Sequence, residues 1–182
     1  MVIVFGRRKP PAKLRPPLVR GERVLAWART SADPQQVVVA TTLGLWLPGR
    51  DRLGWHEIHK ATWAGSRLTV VPAVQVGTSG EPGERHGTAY AVMADDAAVV
   101  VDLTEPGDVP AEVRKRVTRS VAYTAHHPLG NGGVRVVARR VAGVDGLTWH
   151  VRYDDGTDLS DPEVAQATAE LVAEAAAPMR PE

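Results

Sequence analysis

Two histidines and a carboxylate lie close together in His56-Glu57-Ile58-His59, which is the residue set of a zinc-protease helix. That motif needs histidines four residues apart, so that both imidazoles lie on one helical face. Here the separation is three, and the surrounding pattern predicts a strand, in which the two side chains point to opposite faces. We expect no metal site at this motif.

Other groups that could do chemistry also lack the required spacing. His126-His127 would need metal ligands from elsewhere in the chain, and Asp154-Asp155-Gly156 has its glycine third, whereas a calcium loop needs it sixth. The chain has no cysteine, which excludes disulfides, thiolate metal sites and thiol catalysis. No nucleophile elbow or phosphate loop is present. We expect no catalytic, metal-binding or cofactor-binding residue, although a site assembled from distant side chains stays open.

The charges are segregated along the 182 residues, although their sum is only +1. Residues 1–21 carry six basic groups and no acid, and residues 109–140 carry seven basic groups and one acid. Residues 141–182 carry nine acids and two basic groups. This distribution predicts local binding surfaces for acidic partners.

The first segment, residues 1–21, is a basic, proline-rich arm. Its four prolines favour extended polyproline-II structure over helix. Three interpretations stay open: a solvated tail, an arm that docks on an acidic partner or nucleic acid, and an arm that docks on its own protein.

Hydrophobic periodicity predicts about seven short strands, then a helix, a loop, a hairpin and a second helix. Strand character is expected within 22–29, 36–40, 43–47, 67–76, 89–93 and 97–103, and in 52–59 and 61–64, which are separated by a single residue. The first helix is expected near 109–124, with Asp108 as its N-cap. A glycine-rich loop at 126–133, a hairpin at 134–153 and a helix from about Asp161 to Ala176 complete the prediction.

The stretches Gly21-Glu22-Arg23-Val24-Leu25-Ala26, Val38–Leu47 and Trp55-His56-Glu57-Ile58 resemble the strands of PH-like proteins from bacteria of the actinobacterial type. The resemblance covers about residues 21–125. It implies an α+β fold: a PH-like antiparallel β-barrel or roll capped by a helix, with the hairpin and second helix of residues 134–182 as an extension. The loop Thr30–Gln35 has no basic residue, so we expect no phosphoinositide binding there.

Basic side chains and one tryptophan form the predicted partner-binding set. Trp46 is included because Leu43, Leu45 and Leu47 already occupy the other face of its strand. Lys and Arg on the first helix and the hairpin are expected to form one surface with the arm. The set is Arg7, Arg8, Lys9, Lys13, Arg15, Trp46, Arg114, Lys115, Arg116, Arg119, Arg135 and Arg139.

These features predict a non-catalytic interaction module of the bacterial cytoplasm that binds a protein or ribonucleoprotein assembly through the arm and the basic helix. The alternative is non-specific binding to the phosphate backbone of RNA or DNA. Steep weakening by salt would distinguish the alternative. The apolar start, Met1–Phe5, is too short for a signal peptide, and no window is long enough for a transmembrane helix.

Overall fold

The computed structural model of the protein describes residues 9–79 and 88–179. These residues form an α+β fold with a large, mostly antiparallel open sheet and two α-helices. The strands are β1 Val24–Thr30, β2 Val37–Thr41, β3 Gly44–Trp46, β4 Leu53–Gly54, β5 Ile58–Ala64, β6 Arg67–Ser79, β7 Tyr90–Asp95, β8 Val99–Thr104, β9 Val121–Leu129, β10 Gly132–Arg139 and β11 Thr148–Tyr153. The helices are α1 Val109–Ser120 and α2 Pro162–Ala176.

The chain divides into two compact units, and neither is one continuous segment. The first unit contains the described residues through Pro72 together with Asp96–Ser120. The second unit contains Ala73–Asp95 and the chain from Val121 onward. These units group β7 and β9 with the later strands, and the predicted division into a domain at 22–125 and an extension at 134–182 stays a prediction.

In the first unit, seven strands pair in the order β4-β3-β2-β1-β8-β6-β5, and every pairing is antiparallel. Helix α1 follows the last of these strands and packs against β1, β2 and β5. Its buried valines, Val109 and Val113, join a core that includes Leu45, Ile58 and Leu68. Strands β4 and β5 are the two ends of this order, so the predicted barrel is not closed.

In the second unit, the later half of β6 begins the order β6-β7-β11-β10-β9. The pair β7–β11 is parallel, and the other pairs are antiparallel. Helix α2 places Thr168, Val172 and Ala176 in its buried face. The carboxylate of Asp161 accepts a hydrogen bond from the Glu163 amide, so this helix begins at the predicted capping sequence.

The first helix is shorter than predicted, and the glycine-rich loop is mostly strand. Helix α1 ends at Ser120, whose hydroxyl donates to the Val117 carbonyl at 2.7 Å. Strand β9 then continues through His126 and His127, and both pair with β10. Only Gly130 and Asn131 form the turn between them. Val121, Tyr123 and Thr124 are β-branched or aromatic, and such side chains favour the pleated sheet once a partner strand is available.

Candidate functional site

A groove in the first unit lies between strand β5 and helix α1, and we call it the β5–α1 groove. Its two walls are Ala61, Thr62 and Trp63 on β5 and Pro110, Ala111 and Arg114 on α1. The buried side chains of Leu68 and Val113 complete its lining, and its volume is about 520 Å³. An apolar concavity with a few polar groups at its margin is the usual form of a binding site.

Strand β5 is the edge of the first unit's sheet, since among the described residues it pairs only with β6. No further described strand pairs with its other side, and an edge of this kind is where an added strand can form backbone hydrogen bonds. Trp63 is half-buried there, packed partly against the core, and lines the groove. The groove thus combines a strand edge, an apolar wall and a helix.

Helix α1 directs its predicted basic residues to different places. Arg114 lines the groove, is exposed and has no hydrogen-bond or ion-pair partner within the described ranges. Lys115 and Arg116 lie 3.8 Å and 3.7 Å from the Glu112 carboxylate, so part of their charge is compensated on the helix itself. Arg119 is exposed. Of the four, Arg114 is the cation that the groove offers to a ligand.

A second concavity of about 520 Å³ lies in the same unit, beside β1 and β8. Its charged lining residue is Asp102, which is held by Arg67 in a two-point hydrogen-bonded pair at 3.1 Å. That pairing lowers the pKa of Asp102, because the guanidinium stabilises the carboxylate. This concavity offers no cation and no open strand edge, so the β5–α1 groove is the stronger candidate.

The described part of the predicted arm is partly attached to the protein. Lys9, Lys13 and Arg15 are exposed, but Pro10 is buried. The Arg15 guanidinium donates to the Pro10 carbonyl at 3.3 Å, and the Val19 amide donates to Glu22 at 3.1 Å. Arg7 and Arg8 lie outside the described residues.

Trp46 belongs to a buried polar cluster, which we call the Glu22 cluster. Its members are Glu22, Thr41, Trp46 and Arg52. The indole N–H of Trp46 donates to Glu22 Oε1 at 3.1 Å, and the Arg52 guanidinium lies 5.8 Å from the centre of the indole ring. The ring is half-buried and partly covered. Trp46 therefore stabilises the junction of β1, β3 and the residues before β4. Its role in binding a partner stays a prediction, and the indole ring is not fully exposed as that prediction assumed.

The carboxylate of Glu22 has no solvent-exposed surface, and four donors surround it. Thr41 Oγ1 and an Arg52 guanidinium nitrogen both lie 2.6 Å from it, and the Trp46 indole and the Val19 amide complete the set. Burial alone would raise the pKa of Glu22. The donors and the charge of Arg52 outweigh burial, so its pKa lies below the usual value. The sequence pattern did not predict a role for Glu22, because its three side-chain partners are 19 to 30 residues away.

Arg139 was predicted to share an exposed face with Arg135, and this prediction is wrong. Arg135 is exposed, but Arg139 is only 5% exposed. The pairing of β10 with β9 shifts register between Ala138 and Arg139. Such a bulge changes the face to which the next side chain points, so simple alternation fails there. Burial lowers the pKa of Arg139. Arg135 lies in the second unit and α1 in the first, so their joining into one basic surface stays a prediction.

A histidine–carboxylate pair in the second unit was not predicted. His126 Nε2 lies 2.6 Å from Asp154 Oδ2, and both side chains are exposed. A Cβ on Gly133 would lie 2.6 Å from the Asp154 oxygen and 2.7 Å from the His126 nitrogen, so glycine leaves room for the pair. Among the described residues, no group of three histidine or carboxylate side chains is placed to hold a metal ion.

Comparison with models of known protein families, with curated proteins and with solved structures finds no match to this chain. In the part of the chain that the structure describes, no helix is both long and apolar enough to cross a membrane.

Proposed function

We propose that the protein is a non-catalytic, PH-like interaction module of the bacterial cytoplasm and that the β5–α1 groove binds an extended segment of a protein partner. The observation that carries this proposal is the groove itself. It places a strand that pairs on one side only, among the described strands, beside a partly apolar cavity and Arg114, a cation without a partner in the described residues. A strand edge supplies backbone hydrogen bonds to an added strand, and an adjacent cavity supplies side-chain specificity.

The set of elements in the first unit supports the PH-like part of the proposal. Seven antiparallel strands and one amphipathic helix make up this unit, and this is the number of elements that the resemblance implies. The strand expected at 89–93 is not among the seven, because it is β7 and belongs to the second unit. The open side of the sheet lies between β4 and β5, and α1 packs against β5.

The chemistry of the groove favours a partner segment that is acidic and partly apolar. Arg114 provides an uncompensated positive charge at the groove wall, and the exposed Lys60 precedes Ala61 on β5. Neither cation has an ion-pair partner within the described residues. Complementary charge accelerates association and discriminates between partners, while an apolar side chain in a cavity supplies most of the affinity.

A selection from a displayed library of random peptides tests the proposal. With the full chain as bait, we expect selected peptides to be enriched in Asp, Glu and large apolar residues. Ala111→Trp fills the groove and Arg114→Glu reverses its charge, so both variants should lose the selected peptides. Arg23→Glu is the matched control, because it reverses an exposed arginine that lies outside the groove lining and whose guanidinium has no partner among the described residues. Peptides that bind all variants equally, or a selection without enrichment, would refute the groove as the binding site.

Nucleic-acid binding is the second candidate function, and the exposed cations of the arm favour it. Lys9, Lys13 and Arg20 have no ion-pair partner within the described residues. If they neutralise phosphates, binding to a single-stranded RNA probe must fall steeply as salt rises. Substitution of all three lysine and arginine residues by glutamine should then abolish RNA binding, while Ala111→Trp should leave it unchanged.

A further inference from the structure

The second unit carries an acidic turn whose chemistry complements the β5–α1 groove. We define the acidic turn as residues 154–163, between β11 and the first turn of α2. It contains five acids and no basic residue: Asp154, Asp155, Asp158, Asp161 and Glu163. The only large apolar side chain within it, Leu159, is 62% exposed.

The turn holds Leu159 in a defined backbone conformation. The Asp158 carboxylate accepts from the Ser160 amide at 2.9 Å and from the Ser160 hydroxyl at 2.6 Å. Asp161 caps helix α2, and the Thr157 hydroxyl is hydrogen-bonded to both backbone groups of Gly133. A segment that is already ordered loses little conformational entropy on binding.

Acids flank the exposed leucine on both sides. Asp158 precedes it directly, and Asp161 follows two residues later. Asp155 has no hydrogen-bond or ion-pair partner among the described residues, so its charge is available to a ligand. An apolar group surrounded by negative charge is the counterpart of an apolar cavity with Arg114 at its wall.

We propose that the β5–α1 groove of one molecule binds the acidic turn of a second copy of this chain, with Leu159 entering the cavity and its flanking carboxylates facing Arg114. This inference rests on the proposed function, because it uses the same groove, and it names the chain itself as one partner. The contact is head-to-tail, since a groove meets a turn and not another groove. Contacts of this kind build closed rings or open chains.

Sedimentation equilibrium of the full-length protein at low salt tests the proposal. We expect the average mass to rise above the 19.5 kDa of one chain as the concentration increases, and to fall again at high salt. Arg114→Glu impairs the groove and Leu159→Ser impairs the turn, so each variant should lower the association constant by about tenfold or more. Both side chains are exposed, so unchanged circular dichroism should show that the variants fold. Arg23→Glu, at an exposed arginine outside both the groove and the acidic turn, should associate like the unmodified protein.

Mixing the two impaired variants gives the decisive result. The Arg114→Glu protein keeps an intact turn, and the Leu159→Ser protein keeps an intact groove, so the mixture should regain association that neither variant shows alone. A monomeric unmodified protein, unchanged association of either variant, or a mixture that stays monomeric would overturn the inference. If the peptide selection still yields groove-dependent ligands, the proposed function stands without self-association. If it yields none, both are wrong.

Discussion

Replacement of the buried carboxylate Glu22→Gln should strongly destabilise the first unit. The carboxylate accepts from four donors, and two of them lie at 2.6 Å. Glutamine keeps the shape of the side chain but removes the negative charge, and its amide N–H₂ group would oppose a donor. Arg52, whose side chain is 28% exposed, would lose its counter-charge.

The expected magnitude follows from these contacts. A hydrogen bond to a charged group contributes about 1.5–3 kcal/mol, and removal of one partner from a buried ion pair costs about 3–5 kcal/mol. Because Arg52 is partly exposed, we expect a loss near the lower limit, about 3 kcal/mol in the free energy of unfolding. For a chain of this length, that corresponds to a fall of roughly 6–12 °C in Tm.

Urea denaturation followed by tryptophan fluorescence measures this loss, since four of the five tryptophans lie in the first unit. Glu174→Gln is the matched control, because Glu174 is an exposed carboxylate without a partner in the described residues, and its substitution should change stability by less than about 0.5 kcal/mol. A loss below about 1 kcal/mol for Glu22→Gln would refute the view that this cluster stabilises the fold.

The pH dependence supplies a second measurement. The pKa of Glu22 is lower in the folded protein than its ordinary value of 4.5. The unfolded chain therefore takes up the proton first, and the stabilisation by Glu22 is complete above the unfolded pKa. It is lost as the pH falls through the folded pKa. The difference in unfolding free energy between the unmodified protein and Glu22→Gln should accordingly be constant near neutral pH and shrink below about pH 4.5. A difference that grows on acidification would contradict this reasoning.

Three further substitutions test other parts of the structure. Gly44→Ala should lower the free energy of unfolding by about 1–3 kcal/mol in urea denaturation, because its Cβ would collide with the Leu53 backbone. Gly77→Ala is its control and should be tolerated, because a Cβ there would lie 3.7 Å from the Val92 side chain. Arg139→Glu should lower the free energy of unfolding by about 2 kcal/mol or more, because it places a carboxylate where a guanidinium is buried. Arg135→Glu, at an exposed position, should leave the urea midpoint unchanged, and equal midpoints for the two variants would show that Arg139 is not buried. Asp161→Ala should lower stability by about 1 kcal/mol through loss of the α2 N-cap, measured by thermal unfolding in circular dichroism, and Asp155→Ala, in the same acidic turn but outside the cap, is its control.

Local pattern was sufficient for most of the strands and for the start of α2. The alternation around Leu43–Leu47 predicted β3, and Ser160-Asp161-Pro162-Glu163 predicted the position of the α2 N-terminus. These features depend on neighbouring residues, such as a cap that accepts from an amide two residues later or side chains that alternate across one strand. Composition also excluded every form of cysteine chemistry.

Tertiary pairing decided what the sequence could not. Strand β7 pairs with its chain neighbour β6 on one side, but on its other side it pairs in parallel with β11, some 60 residues later, and it belongs to the second unit. Arg139 was assigned to the surface by alternation, and a bulge against β9 buries it. The β5–α1 groove depends on β5 being an edge, which only the complete strand order defines. Residue types therefore determined the elements and their charges, whereas long-range pairing determined which faces are buried and which edges stay open. The reason is that a strand gains its stability from partner strands, and its own sequence does not specify which strands those are.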